Sequence, residues 1–139
     1  MTDLNNFKSQ CQPNQRIIVS EENKRKHIAN NLSSSAVRHY RIDNYVISGA
    51  SKKCDFLLLN DSKCDAYYIE LKGTNLLDAM TQIDRTVEEL HGRLNNYTIN
   101  PRIVYASNTH AVHDKATIQW KQKYSGKAKM KTVQLEDIF

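Results

Sequence analysis

Cysteine, proline and glycine are all scarce in this chain of 139 residues, at three, two and four copies. Cys11, Cys54 and Cys64 are odd in number and have no paired spacing, which argues against a disulfide framework and for reduced thiols used in packing. Structural zinc needs about four closely spaced ligands, and His110-x-x-His113 has no second pair to complete the set. Apolar runs are short as well: none exceeds the four residues of Phe56-Leu57-Leu58-Leu59, far below the roughly 18–20 that a membrane span requires. Residues 1–15 are mostly polar and lack the apolar stretch of a secretory signal, so the expected location is the cytoplasm. There is no internal repeat and no low-complexity stretch.

What is present is an apolar fraction of 40% with a net charge of only +5, from 20 Lys plus Arg against 15 Asp plus Glu. That balance excludes disorder over the whole length and suits one globular domain over 16–139, with 1–15 as a loose arm. The basic excess is compatible with a polyanionic partner and equally with ordinary solubility.

Ser20, followed by Glu21 and Glu22, reads as a helix N-cap with acids in the first turn, and the helix would run to Leu32 before Ser33-Ser34-Ser35. Val37 to Ile47 favours strand and ends at Ser48-Gly49. Asp55 to Leu59 and Ala66 to Lys72 are short apolar runs around a polar spacer, which predicts a β-hairpin. Leu76, Met80, Ile83, Val87, Leu90 and Leu94 then recur at steps of four and three, the stripe of a long amphipathic helix. The stripe reads as core, with a dimer seam as the alternative. A strand at Arg102–Ala106, a helix at Asp114–Tyr124 and a strand at Met130–Leu135 complete an α/β or α+β layer with helices covering a central mixed sheet.

The hairpin carries the chemistry. Side chains alternate along a strand, so Glu70 and Lys72 share a face, and pairing Asp61 with Cys64 puts Asp55 opposite Glu70. A slip of one residue would send Asp55 to the other face. Two carboxylates and an ammonium on one face are costly if merely buried. They suit a hard-oxygen Mg²⁺ site, where a metal activates water and a lysine supports attack on a phosphodiester. Lys24, Arg25, Lys52 and Lys53 would border that site as phosphate contacts. The bland alternative is a solvated strand face with an ordinary salt bridge, which contributes little. A second lysine run, Lys121 to Lys131, reads equally as a solvated face.

Asp55 in one strand, Glu70-Leu71-Lys72 in the next and a long helix after them resemble the PD-(D/E)xK nuclease superfamily over roughly residues 22–106. The resemblance implies a restriction-endonuclease-like fold and Mg²⁺- or Mn²⁺-dependent cleavage of nucleic acid, DNA in preference to RNA. It implies that Asp55 and Glu70 hold the metal, that the Leu71 carbonyl adds a ligand and that Lys72 assists the attacking water. It further implies that Glu22 in the first helix is an additional acid, with Glu21 competing, and that Gln82 is a supporting residue. Cys54 stands where the pattern has proline. Two other acid-x-Lys triplets, Glu22-Asn23-Lys24 and Asp61-Ser62-Lys63, lack the strand context. Small members of the family act as homodimers, and two sites would be needed to cut both strands of a duplex. A nuclease-like fold turned into a binding or assembly module is the alternative from another class.

Overall fold

The structure is a computed structural model that describes residues 3–49, 51–71, 75–106 and 114–139. The described elements are β1 (Ile17–Glu22), β2 (Arg25–Asn30), β3 (Val37–Arg41), β4 (Phe56–Asn60), β5 (Asp65–Glu70), α1 (Leu76–Leu90), β6 (Thr98–Tyr105), α2 (Lys115–Lys123), β7 (Lys129–Thr132) and β8 (Gln134–Ile138). They form an α+β architecture with two mixed sheets, one of three strands in the order β1-β2-β8 and one of five in the order β3-β4-β5-β6-β7. In the larger sheet β3, β4 and β5 are antiparallel neighbours, whereas β5-β6 and β6-β7 are parallel.

The five-stranded sheet is buried on both faces, which explains why β4 and most of β5 are continuous apolar runs rather than alternating ones. One face carries Leu57, Leu59, Tyr68 and Ile103 against Leu76, Met80, Ile83 and Leu90 of α1 and Trp120 of α2. The other carries Phe56, Leu58, Tyr67 and Ile69 against Ile18, Ala29 and Leu135 of the smaller sheet. The apolar stripe of α1 therefore lies in the core, and α2 is fastened to α1 through Asp84, which accepts from Trp120 Nε1 at 2.9 Å and from the Tyr124 hydroxyl.

The expected helix from Ser20 to Leu32 is instead the β1-β2 hairpin, with Glu22 paired to Arg25 across Asn23-Lys24. Those two residues take φ of 51° and 65°, as a type I′ turn requires, and its twist matches the strands it joins. Ser20 is no cap: its hydroxyl is buried 2.8 Å from His39 Nε2 on β3. The acid pair that imitates a helix start loses to tertiary burial of Ile18, Ser20, His27 and Ala29 on one side of a two-stranded ribbon.

The segment ahead of β1 touches the body at a few points: Leu4 is buried, the Gln10 N–H donates to His39 O at 2.7 Å, and Val37 N–H donates to Pro13 O at 2.8 Å. The closing strand is two strands, parted at Val133, whose φ of 63° turns the chain from the larger sheet to the smaller.

Across the inter-sheet layer runs a buried polar link. Asp137 on β8 accepts from Arg102 of β6 through Nε at 2.7 Å and through a terminal guanidinium nitrogen at 3.1 Å. It also lies 2.7 Å from His27 Nε2 of β2. These bonds hold its carboxyl far below the usual carboxylate range despite burial.

Candidate active site

β4 and β5 pair with Phe56 opposite Ile69 and Asn60 opposite Asp65, around a four-residue loop, Asp61 to Cys64. Continuing that register by one step places Asp55 opposite Glu70, on the face that α1 covers. The two residues clasp each other's strands: the Asp55 N–H donates to Glu70 Oε1 at 3.1 Å, and the Leu71 N–H donates to Asp55 Oδ2 at 2.8 Å.

These acids open into a cavity of about 350 Å³ lined also by Glu22, Asn23, Arg25, Asp43, Lys52, Leu71 and Gln82. Glu22 reaches it from the end of β1 and forms a 3.6 Å ion pair with Arg41 of β3. Glu21 points elsewhere, 3.8 Å from Lys26. Gln82 enters from α1, almost wholly buried. Arg25, first in β2, donates to Asn23 O at 3.2 Å, while its Nε is buried without a hydrogen-bond partner among the described residues. Lys24 stands exposed on the turn, Lys52 lines the cavity, and the Lys53 N–H holds the Asp43 carboxylate at 3.0 Å.

Carboxylates crowd this cavity. Burial pushes the Asp55 carboxyl up to about 7; the Leu71 N–H opposes that shift, the nearby Glu22 carboxylate adds to it, and the hydrogen bond with Glu70 lowers it. Cys54, just before Asp55, is fully buried, and burial pushes its thiol up, so it is a packing residue and not a nucleophile. Its N–H donates to Thr86 Oγ1 of α1 at 2.8 Å, which fixes the entry to β4 against the helix.

Lys72, with Gly73, lies outside the described residues, as do His110 and His113. Of the other acid-x-Lys triplets, Glu22 ends β1 and Lys24 lies within the β1-β2 turn, and Asp61 is held by a bidentate pair with Arg38 at 2.7 and 2.9 Å. The sequence reading missed Arg41, Asp43 and Tyr45, which share the cleft. Their signal was the polar Asp43-Asn44 pair interrupting a strand-like stretch.

Among the described residues no group of three or more His, Cys, Asp or Glu side chains is arranged to hold a metal ion. No helix among them is long and apolar enough to cross a membrane. No protein-family model matches the chain, and no curated protein or solved structure matches it.

Proposed function

We propose that the cleft between β1, β4, β5 and α1 is the active site of a metal-dependent nuclease of the PD-(D/E)xK type, with a restriction-endonuclease-like core. The observation that carries the reading is the register that sets Asp55 against Glu70, with Glu22 lining the same cavity. Mg²⁺ is commonly held by one or two carboxylates and several waters, so the donor set need not be a three-residue cage. Burial first, and the nearby Glu22 carboxylate after it, disfavour charge on Asp55, and a divalent cation among Glu22, Asp55 and Glu70 would offset both, so in this respect the residues fit the group. Asp55, Glu70 and the Leu71 carbonyl would hold the ion, with Glu22 as an additional acid. When bound, Mg²⁺ or Mn²⁺ supplies an activated water and charge neutralisation on the phosphate.

The chain's own residues supply the rest. Arg25 and Lys52 in the cavity wall attract a phosphodiester, and Lys24 and Lys53 extend the cationic border. Lys72 is assigned, from the resemblance, to orient the attacking water and offset charge as the bond to the leaving oxygen breaks. DNA is the preferred substrate in this reading, RNA the lesser one, and a homodimer would bring two sites to a duplex.

One observation favours a second reading. The Asp55 and Glu70 carboxylates both accept backbone N–H bonds, which is also how acids serve to close a hairpin. Under that reading the cleft belongs to a nucleic-acid-binding or assembly module without hydrolysis.

The test is incubation with Mg²⁺ or Mn²⁺ and a panel of linear, circular, single-stranded and branched DNA plus RNA, with Lys72→Ala and Asp55→Asn alongside. Cleavage by the wild type alone supports the nuclease; metal-independent binding with no cleavage of any substrate supports the module.

A further inference from the structure

The cavity described above has a neighbour of about 490 Å³ that shares Glu22, Asp43 and Asp55 with it and adds Arg41, Asn44 and Tyr45. Tyr45 is 60% exposed, the most exposed aromatic side chain among the described residues. Its backbone is tightly bound: the N–H groups of Tyr45, Val46 and Ile47 all donate to Ile42 O at 3.0–3.1 Å, and Asn44 N–H donates to Ile47 O at 2.9 Å. Ile42, Val46 and Ile47 are buried, so the turn is moored in the core while the one aromatic ring faces outward.

Arg41 fixes that ring. Its guanidinium lies 4.7 Å from the Tyr45 ring centroid and 5.8 Å from that of Phe56, and it reaches the Glu22 carboxylate at 3.6 Å. A planar ring backed by a cation and left largely open is a surface on which another planar group stacks, and base-aromatic stacking tolerates any sequence because every base has a π-face. A base inside an intact duplex has both faces covered by its neighbours, so only an unpaired or extruded base can use such a surface.

We propose that Tyr45, backed by Arg41, is a stacking platform for one unpaired nucleobase beside the carboxylate cleft, and that the substrate is therefore single-stranded or locally opened nucleic acid. This rests on the reading of the cleft as a nucleic-acid site. Arg25 and Lys52, which line the adjoining cavity, supply charge for the phosphates of such a strand, while Tyr45 supplies the contact that a duplex cannot make.

The test uses the full chain and labelled oligonucleotides in chelator, so that binding is read without turnover, followed by cleavage assays with Mn²⁺. Tyr45→Ala should weaken binding of a single strand about tenfold. Tyr45→Phe and Tyr45→Trp should retain it, and duplex binding should stay within about twofold of wild type. A strand made of abasic units should bind wild type and Tyr45→Ala equally. An equal loss on single strand and duplex, or no loss on either, overturns the platform. If Tyr45→Ala binds as wild type does and both cleave, the platform falls while the nuclease reading stands. If the single-strand defect appears but wild type cleaves nothing, the platform stands and hydrolysis falls. Absence of binding to every oligonucleotide overturns both.

Discussion

The Asp55 and Glu70 carboxylates each bind the backbone of the other's strand: Glu70 Oε1 accepts from the Asp55 N–H at 3.1 Å, and Asp55 Oδ2 accepts from the N–H of Leu71, next to Glu70, at 2.8 Å. The two carboxylates therefore have a structural task as well as the proposed chemical one, and substitutions separate the tasks. Asn and Gln keep a carbonyl oxygen to accept the backbone proton, whereas Ala removes it and leaves a partly buried N–H unmatched. Asp55→Ala and Glu70→Ala should each lower stability by about 1–3 kcal/mol. Glu70→Gln should unfold near the wild-type urea midpoint and Asp55→Asn at or above it, since the amide removes a buried charge, while both lose cleavage by at least about 100-fold. Equal destabilisation by Asn and Ala would show that charge, not the accepted bond, is what the hairpin end requires.

His39 should make its own contribution to the pH dependence of stability below neutrality. Burial pushes its imidazole down from 6.5 to about 4, and His27 nearby acts in the same direction. Ser20 Oγ at 2.8 Å, the Phe56 ring stacked at 5.2 Å and the Ser9 hydroxyl on its backbone N–H complete its surroundings. The unfolded chain takes up this proton below about pH 6.5 and the folded protein only near 4, so between those values the unfolded state binds more protons. The His39 contribution should fall as pH drops through that window, by roughly 3 kcal/mol in all, and it runs against that of Asp55, whose raised carboxyl takes up its proton first in the folded state and so adds stability over much of the same range. The stability of wild type relative to His39→Gln should fall as pH drops from about 6.5 to about 4 when urea midpoints of both are followed against pH. A wild-type slope retained in the variant would assign the window to other groups.

Asp137 should dominate the coupling of the two sheets. It is the shared acceptor for Arg102 and His27, and its removal leaves a guanidinium buried without its counter-charge. Asp137→Ala should cost about 3–5 kcal/mol, measured by urea unfolding, because breaking a buried pair strands the remaining charge. Its folded-state carboxyl is held low, so its own contribution is present above about pH 4 and is lost at more acid pH, below the His39 window. A loss under about 1 kcal/mol would mean that the link contributes no more than a surface pair.

Val133 offers a stabilising change. It is a β-branched residue at φ 63°, more than half exposed, and its backbone N–H and carbonyl are both committed, to Tyr105 O at 2.8 Å and to Lys26 N at 3.0 Å. Left-handed backbone costs an L-residue roughly 1–2 kcal/mol, and glycine escapes that cost at the expense of a more flexible unfolded chain. Val133→Gly should therefore raise stability by about 0.5–1 kcal/mol. A decrease in the unfolding midpoint would show that the side chain's contacts outweigh the strain.

How far the sequence could be read depends on where the deciding force acts. The β4-β5 hairpin was legible because two short apolar runs and the polar spacer between them are local, and the Asp55-Glu70 register followed from them. The α1 stripe was legible for the same reason, since Leu76, Met80, Ile83 and Leu90 repeat within the helix itself. The β1-β2 ribbon was not, because Ser20-Glu21-Glu22 imitates a helix start and only burial against β3 and β8 decides otherwise. The break at Val133 gave no signal, valine being among the residues least suited to positive φ. Glu22 lines the cleft from a strand rather than from the expected helix. Tyr45 and Arg41 were missed because their meeting depends on the turn at residues 42–47, which the polar Asp43-Asn44 pair marks only faintly.

The central question is whether Asp55 and Glu70 hold a divalent ion, and Mn²⁺ paramagnetic resonance answers it without requiring a substrate. Titrating the wild type into Mn²⁺ should remove the signal of the free ion, and the Asp55→Asn/Glu70→Gln double variant, still folded, should leave it. A wild type that leaves the Mn²⁺ signal unchanged at millimolar protein would contradict the metal site and return the two acids to their backbone bonds alone.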